Sequence, residues 1–151
     1  LTGYTWFRRR GLPRGPMRPL ETDEETAIPG EGAAFFVLSG ADDGPKRYCT
    51  LESVLTGRGF RPEELDKRSG RLLLNADGRR EYGPGYAALA AQPGVSCHTP
   101  LYGSSPVSAA FDVAVAALEM GQESTEPSLE RISCLSLSED DGFGLVVLGR
   151  A

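Results

Sequence analysis

The chain has 151 residues, 40% of them hydrophobic and 25% charged, which suits one globular domain and excludes disorder throughout. No apolar run is long enough to span a bilayer, and the opening Leu1-Thr-Gly-Tyr-Thr-Trp-Phe7 is followed, not preceded, by arginines, so a soluble cytoplasmic protein with no membrane partner is expected. A net charge of −5 argues against nucleic acid as a partner, because phosphate contacts need a concentrated excess of Lys and Arg. The first residue is not Met, so a fragment or a processed form is expected.

In chain order, the basic residues come first. Arg8, Arg9, Arg10, Arg14 and Arg18 precede the acidic Glu21-Thr-Asp-Glu-Glu25, and the cluster reads either as a solvated face or as a docking patch for an acidic partner. Residues 1–12 form a short helix or a loop anchored by Tyr4, Trp6 and Phe7; Pro13, Gly15, Pro16 and Pro19 then exclude a regular element. Pro29-Gly-Glu-Gly32 is a turn, and the continuous apolar run Ala33-Ala-Phe-Phe-Val-Leu-Ser39 predicts a buried central strand. After a turn at Asp42-Asp-Gly-Pro45, residues 47–55 predict a second strand, antiparallel to the first.

Residues 57–70 are polar, with a helical turn at Pro62-Glu-Glu-Leu65. A third strand is expected over 71–76, a turn at Asp77-Gly-Arg-Arg-Glu81, a short helix over 86–91 stopped by Pro93-Gly94, and a fourth strand over 95–101. That strand feeds the element around which the chain is organised, a helix over 106–120. Ser105 supplies an N-cap hydroxyl and Pro106 a first helical residue whose missing N–H is no loss. Val107, Ala110, Phe111, Ala114 and Leu118 recur at helical spacing, Val113, Val115, Ala116 and Ala117 make the other faces nearly apolar, and Gly121 reads as a left-handed stop. Strands over 131–138 and 143–149 close the chain as a hairpin on Asp141-Gly142. The expectation is an α/β domain with a mixed five- to six-stranded sheet and helices packed on its faces.

Cys49, Cys97 and Cys134 lack metal-ligand spacing and sit in apolar, strand-like contexts, which reads as reduced buried thiols; with a single histidine, no metal site and no cofactor is expected. Cys97 and His98 have the identities of a nucleophile and a base, but adjacent residues on an extended strand point to opposite faces, so they do not form a dyad unless the strand is broken.

Four stretches, in this order, resemble the later part of the β-ketoacyl synthases, the condensing enzymes of fatty acid and polyketide synthesis with a thiolase fold. Ile28-Pro-Gly-Glu-Gly-Ala-Ala-Phe-Phe-Val-Leu38 is similar to the strand that closes that family's first half, and Leu74-Asn-Ala-Asp-Gly78 to its first histidine segment. Tyr102-Gly-Ser-Ser-Pro-Val-Ser-Ala-Ala110 resembles its second histidine turn and helix, and Glu139-Asp-Asp-Gly-Phe-Gly144 its glycine-rich hairpin. The resemblance implies that residues 1–57 end the first thiolase-like half and 58–151 form the second, with the family's nucleophilic cysteine upstream of Leu1. It places Asp77 and Ser104 at the two histidine positions and Asn75, Gly103 and Phe143 along the substrate pocket.

Those replacements bear on the chemistry. The family's histidines donate hydrogen bonds and move protons during malonyl decarboxylation. An ionised Asp77 would repel the malonyl carboxylate, and Ser104 donates a hydrogen bond but does not titrate near neutral pH. The hairpin is also shorter than the family's. The resemblance thus implies a ketosynthase-like subunit that does not condense, comparable to chain-length factors, in a homo- or heterodimer with an active ketosynthase or with a missing N-terminal half. Acyl carrier protein is the implied acidic partner for Arg8, Arg9, Arg10 and Arg14. Two alternatives stand beside it: an active 3-oxoacyl-carrier-protein synthase-type acyltransferase whose nucleophile lies upstream, and a carrier-protein or protein-binding module.

Overall fold

The computed structural model describes residues 15–21, 23–40, 48–62, 65, 70–81, 83–122, 130–138 and 140–151. The elements are β1 (Thr50–Arg58), β2 (Arg71–Leu74), α1 (Gly83–Ala90), β3 (Val95–Ser96), a single 3-10 turn (Thr99–Leu101), α2 (Ser108–Gly121), β4 (Arg131–Leu137) and β5 (Gly142–Gly149).

Five strands make one mixed sheet in the order β1-β5-β4-β2-β3. β2 runs parallel to β3 and to β4, while β5 is antiparallel to β4 and to β1. The hairpin forms as its turn residues predict, and Asp141 takes the positive φ of 57° there. Alternation along β2 divides the core. Leu72 and Leu74 join Tyr86 and Leu89 of α1 with Leu135, Leu145 and Val147, whereas Leu73 joins Ala116 and Met120 of α2 with Ile132, Cys134 and Leu148.

Several expectations are corrected. Residues 33–39 form no strand and pair with no described strand, and Phe35 and Val37 are 93% and 98% exposed. The run 47–55 becomes β1 at 50–58, and its antiparallel partner is β5. Both of its faces lie beyond the two helices, leaving Leu51, Val54 and Leu55 exposed. The fourth strand stops at Ser96: Pro100 has no N–H to give to a ladder, and the chain turns so that the Leu101 N–H reaches the His98 carbonyl at 2.9 Å.

The long helix starts two residues late. Ser105 caps nothing, because its carbonyl is drawn into a turn that accepts the Ser108 N–H at 3.1 Å and the Ser108 hydroxyl at 2.9 Å, and Val107 takes the cap position. The stripe it buries is Ser108, Asp112, Ala116 and Met120, not the one that carries Phe111 and Leu118. At its end Gly121 stays helical and is required for a different reason: a Cβ there would stand 2.5 Å from the Tyr48 ring. Among the described residues no helix is long and apolar enough to cross a membrane.

Candidate functional site

Asp77 follows β2, Ser104 follows the 3-10 turn, and a third strip, Thr26 to Gly30, locks them side by side. The Thr26 N–H donates to the Gly78 carbonyl at 3.0 Å, the Ser104 N–H to the Ile28 carbonyl at 2.7 Å, and the Gly30 N–H to the Ser104 carbonyl at 2.9 Å. Pro29 and Ser104 thus form an isolated parallel bridge. The approach is tight enough to demand glycine. Gly103 has a φ of +75°, and a Cβ on it would lie 2.8 Å from the Gly30 Cα.

Within this corner Asp77 is 4% exposed and fully engaged. Its Oδ2 accepts the Ser104 hydroxyl at 2.6 Å and the Arg79 Nε at 2.6 Å, and its Oδ1 accepts the Arg79 backbone N–H at 3.2 Å. A buried carboxylate held on both oxygens by an ion pair, a hydroxyl and a backbone N–H is a structural tie.

Behind the tie lies a second polar cluster. Asp112 of α2 is 1% exposed; its Oδ1 accepts the Tyr102 hydroxyl and its Oδ2 the Asn75 Nδ2 at 2.6 Å. Ser108 Oγ lies 3.0 Å from Asn75 Oδ1, and the Tyr86 hydroxyl donates to the Asn75 carbonyl at 2.9 Å while accepting the Leu137 N–H at 2.7 Å. Thr99 and Cys97 both reach the Ala76 carbonyl, Cys97 at 3.2 Å. Burial pushes the Asp112 carboxyl above its ordinary value, opposed by the Tyr102 and Asn75 donors and by His98. Burial also raises the phenols of Tyr86 and Tyr102 and the thiols of Cys97, Cys134 and Cys49. A raised thiol is a poor nucleophile. Cys97 Sγ contacts Thr99 Oγ1 at 3.0 Å, while His98 Nδ1 is buried with no hydrogen-bond partner, so the two adjacent residues form no Nδ1-linked dyad.

Of the residues singled out in the sequence, Asp77 and Ser104 touch, Gly103 holds their turn, and Asn75 sits behind them in the Asp112 cluster. Phe143 packs elsewhere, edge-on to Phe60 at 5.3 Å between ring centres. Arg8, Arg9, Arg10 and Arg14 lie outside the described residues; Arg18 is ion-paired with Glu21 and Glu24 at 2.8 and 2.9 Å. Sequence reasoning missed Arg79, Tyr86, Tyr102, Ser108 and Asp112. Asp112 carried a readable signal, since it is the only charge between Pro106 and Leu118 in an otherwise apolar helix. Among the described residues no group of His, Cys, Asp and Glu has the arrangement to hold a metal ion.

A solved structure described as "PfaC Keto synthase-Chain length factor" superposes on this chain with a TM-score of 0.52 at 14% identity, covering 69% of this chain. The fold is ketosynthase-like. This chain spans 13% of the length of that structure. No family model and no curated protein matches the sequence.

Proposed function

We propose that this chain is part of a ketosynthase-like protein of fatty acid or polyketide biosynthesis that does not itself condense acyl units and acts, in the manner of a chain-length factor, beside an active ketosynthase. One observation carries the reading. Asp77 and Ser104, which the resemblance sets at the two catalytic histidine positions, bond to each other at 2.6 Å and are closed off by Arg79, so neither is available to move a proton or to receive a malonyl carboxylate. The printed description of the solved neighbour, a keto synthase with a chain-length factor, supports a heteromeric assembly for this chain as well. The same reading makes residues 1–57 the end of a first thiolase-like half and 58–151 a second, makes acyl carrier protein the acidic partner of the early arginines, and has the protein act in the cytoplasm.

The test is decarboxylation of labelled malonyl thioester and its condensation with an acyl thioester, assayed for the full-length gene product alone and with an active ketosynthase added. No turnover alone, with a changed rate or product length in the mixture, is the expected result. Turnover by the protein alone that survives Asp77→Ala would overturn the reading and favour an active acyltransferase whose chemistry rests on other residues.

A further inference from the structure

The Asp112 cluster contains a proton count that does not close in only one way. Asp112 Oδ2 and Asn75 Nδ2 are 2.6 Å apart, Asn75 Oδ1 and Ser108 Oγ are 3.0 Å apart, and Ser108 Oγ and the Ser105 carbonyl are 2.9 Å apart. With Asp112 ionised, Asn75 donates to the carboxylate and Ser108 has one hydroxyl proton to share between two acceptors, Asn75 Oδ1 and the Ser105 carbonyl. Rotating the Asn75 amide by about 180° about its last torsion, a broad two-fold torsion, exchanges its oxygen and nitrogen without moving any other heavy atom. The amide oxygen then faces Asp112 Oδ2, which must carry a proton to donate to it. The amide nitrogen donates to Ser108 Oγ, and the Ser108 proton goes wholly to the Ser105 carbonyl. Both arrangements satisfy the cluster, and they differ by one proton taken from water.

We infer that Asp112, Asn75 and Ser108 form a proton-linked switch, in which proton uptake at Asp112 Oδ2 reverses the Asn75 amide and transfers the Ser108 hydroxyl bond from Asn75 to the Ser105 carbonyl. Ser105 adjoins Ser104, so the exchanged hydrogen bond lies one residue from the Asp77 tie, and the inference stands whether or not the ketosynthase-like reading does. The groups facing Asp112 set its bias. Tyr102 and Asn75 donate to the charged form and a charged His98 favours it; Cys97 beside β3, Tyr86 of α1 and Cys134 of β4 face it as neutral acids. Burial, the largest influence, favours the protonated form. Because the folded state then binds the proton more tightly than the unfolded chain, the stability this group contributes is complete below the ordinary carboxylate value of about 3.9. It is lost as pH rises through the raised folded value.

The experiment is a pH titration by nuclear magnetic resonance of the whole chain, following the carbon of the Asp112 carboxyl and the Nδ2 protons of Asn75. The expected result is an Asp112 midpoint above about 3.9, with the Asn75 signals stepping at the same midpoint. Removing the donor to the charged form by Tyr102→Phe should raise the proton affinity several-fold and carry the Asn75 step to the same new midpoint, which a static contact would not do. An Asp112 midpoint at or below the ordinary value, Asn75 signals that ignore it, or Asn75 signals that fail to follow the midpoint in Tyr102→Phe each overturns the switch. Asp112→Asn keeps the shape and removes the titration, so the pH-dependent slope of its urea midpoint over that range should lose the share of one proton; a slope equal to wild type also overturns it. If that variant does not fold, the wild-type and Tyr102→Phe titrations decide.

Discussion

The Ser104 hydroxyl donates to Asp77 Oδ2 at 2.6 Å across 27 residues of sequence, joining the end of β2 to the turn before α2. Cutting this tie leaves a buried hydroxyl and the Arg79 guanidinium without the acceptor they share. Asp77→Ala should therefore destabilise the fold by about 2–4 kcal/mol, and Ser104→Ala by about 1–2 kcal/mol. Because the residues touch, the double variant should cost less than the sum, with a coupling of about 1–2 kcal/mol. Urea denaturation of the four proteins measures it, and strict additivity would show that the bond contributes nothing.

What the sequence shows and what it conceals divide along physical lines. The hairpin over 131–149 is legible because the length of its two runs and Asp141-Gly142 specify the same local pairing. α2 is legible as a helix, but its orientation is not. Counting apolar residues selects the Phe111 and Leu118 face, whereas the buried stripe includes Ser108 and Asp112, whose polar groups find partners only through tertiary contacts with Asn75 and Tyr102. The segment 33–39 has strand composition but pairs with no described strand, and a strand is a property of two segments, not one. Asp77 and Ser104 stand out only through a family resemblance; nothing in their spacing reveals that they bond.

Tyr86 links α1 to the ends of two strands through one hydroxyl, donating to the Asn75 carbonyl and accepting from the Leu137 N–H. Tyr86→Phe keeps the ring in the core and orphans both backbone groups. A loss of about 1–3 kcal/mol is expected, together with faster hydrogen exchange at the Leu137 amide. Unchanged protection of that amide would mean that water replaces the hydroxyl at no cost.

Gly103 combines a φ of +75° with backbone contact to Gly30, so Gly103→Ala meets both torsional strain and a clash with main-chain atoms that have no side-chain freedom to yield. The melting temperature should fall by several degrees, given about 2–4 °C per kcal/mol for a chain of this size. A melting temperature equal to wild type would show that the Thr26 to Gly30 strip separates readily from Ser104.

Burial raises the thiols of Cys97, Cys134 and Cys49, and the thiolate is the reactive form. Alkylation near neutral pH should therefore be slow in the folded protein at all three positions, slowest at the buried Cys134, and rapid for all after denaturation. Native labelling of Cys97 at the unfolded rate would contradict both its burial and its contacts with Ala76 and Thr99.

Phe35, Val37 and Leu38 project into solvent from a segment with no ladder hydrogen bonds, and Leu51, Val54 and Leu55 of the edge strand β1 are exposed as well. Soluble monomers rarely leave so many large apolar side chains exposed, and an unprotected edge strand attracts other chains. The isolated chain should bind a hydrophobic dye and associate in a concentration-dependent way by sedimentation. Replacing Phe35 and Val37 together with Ser should weaken dye binding while changing stability by no more than about 0.5 kcal/mol, because exposed side chains contribute little to the folded core. A loss well beyond that would place these residues against the core instead of in solvent. Absence of dye binding by the unaltered chain would show that the segment buries itself.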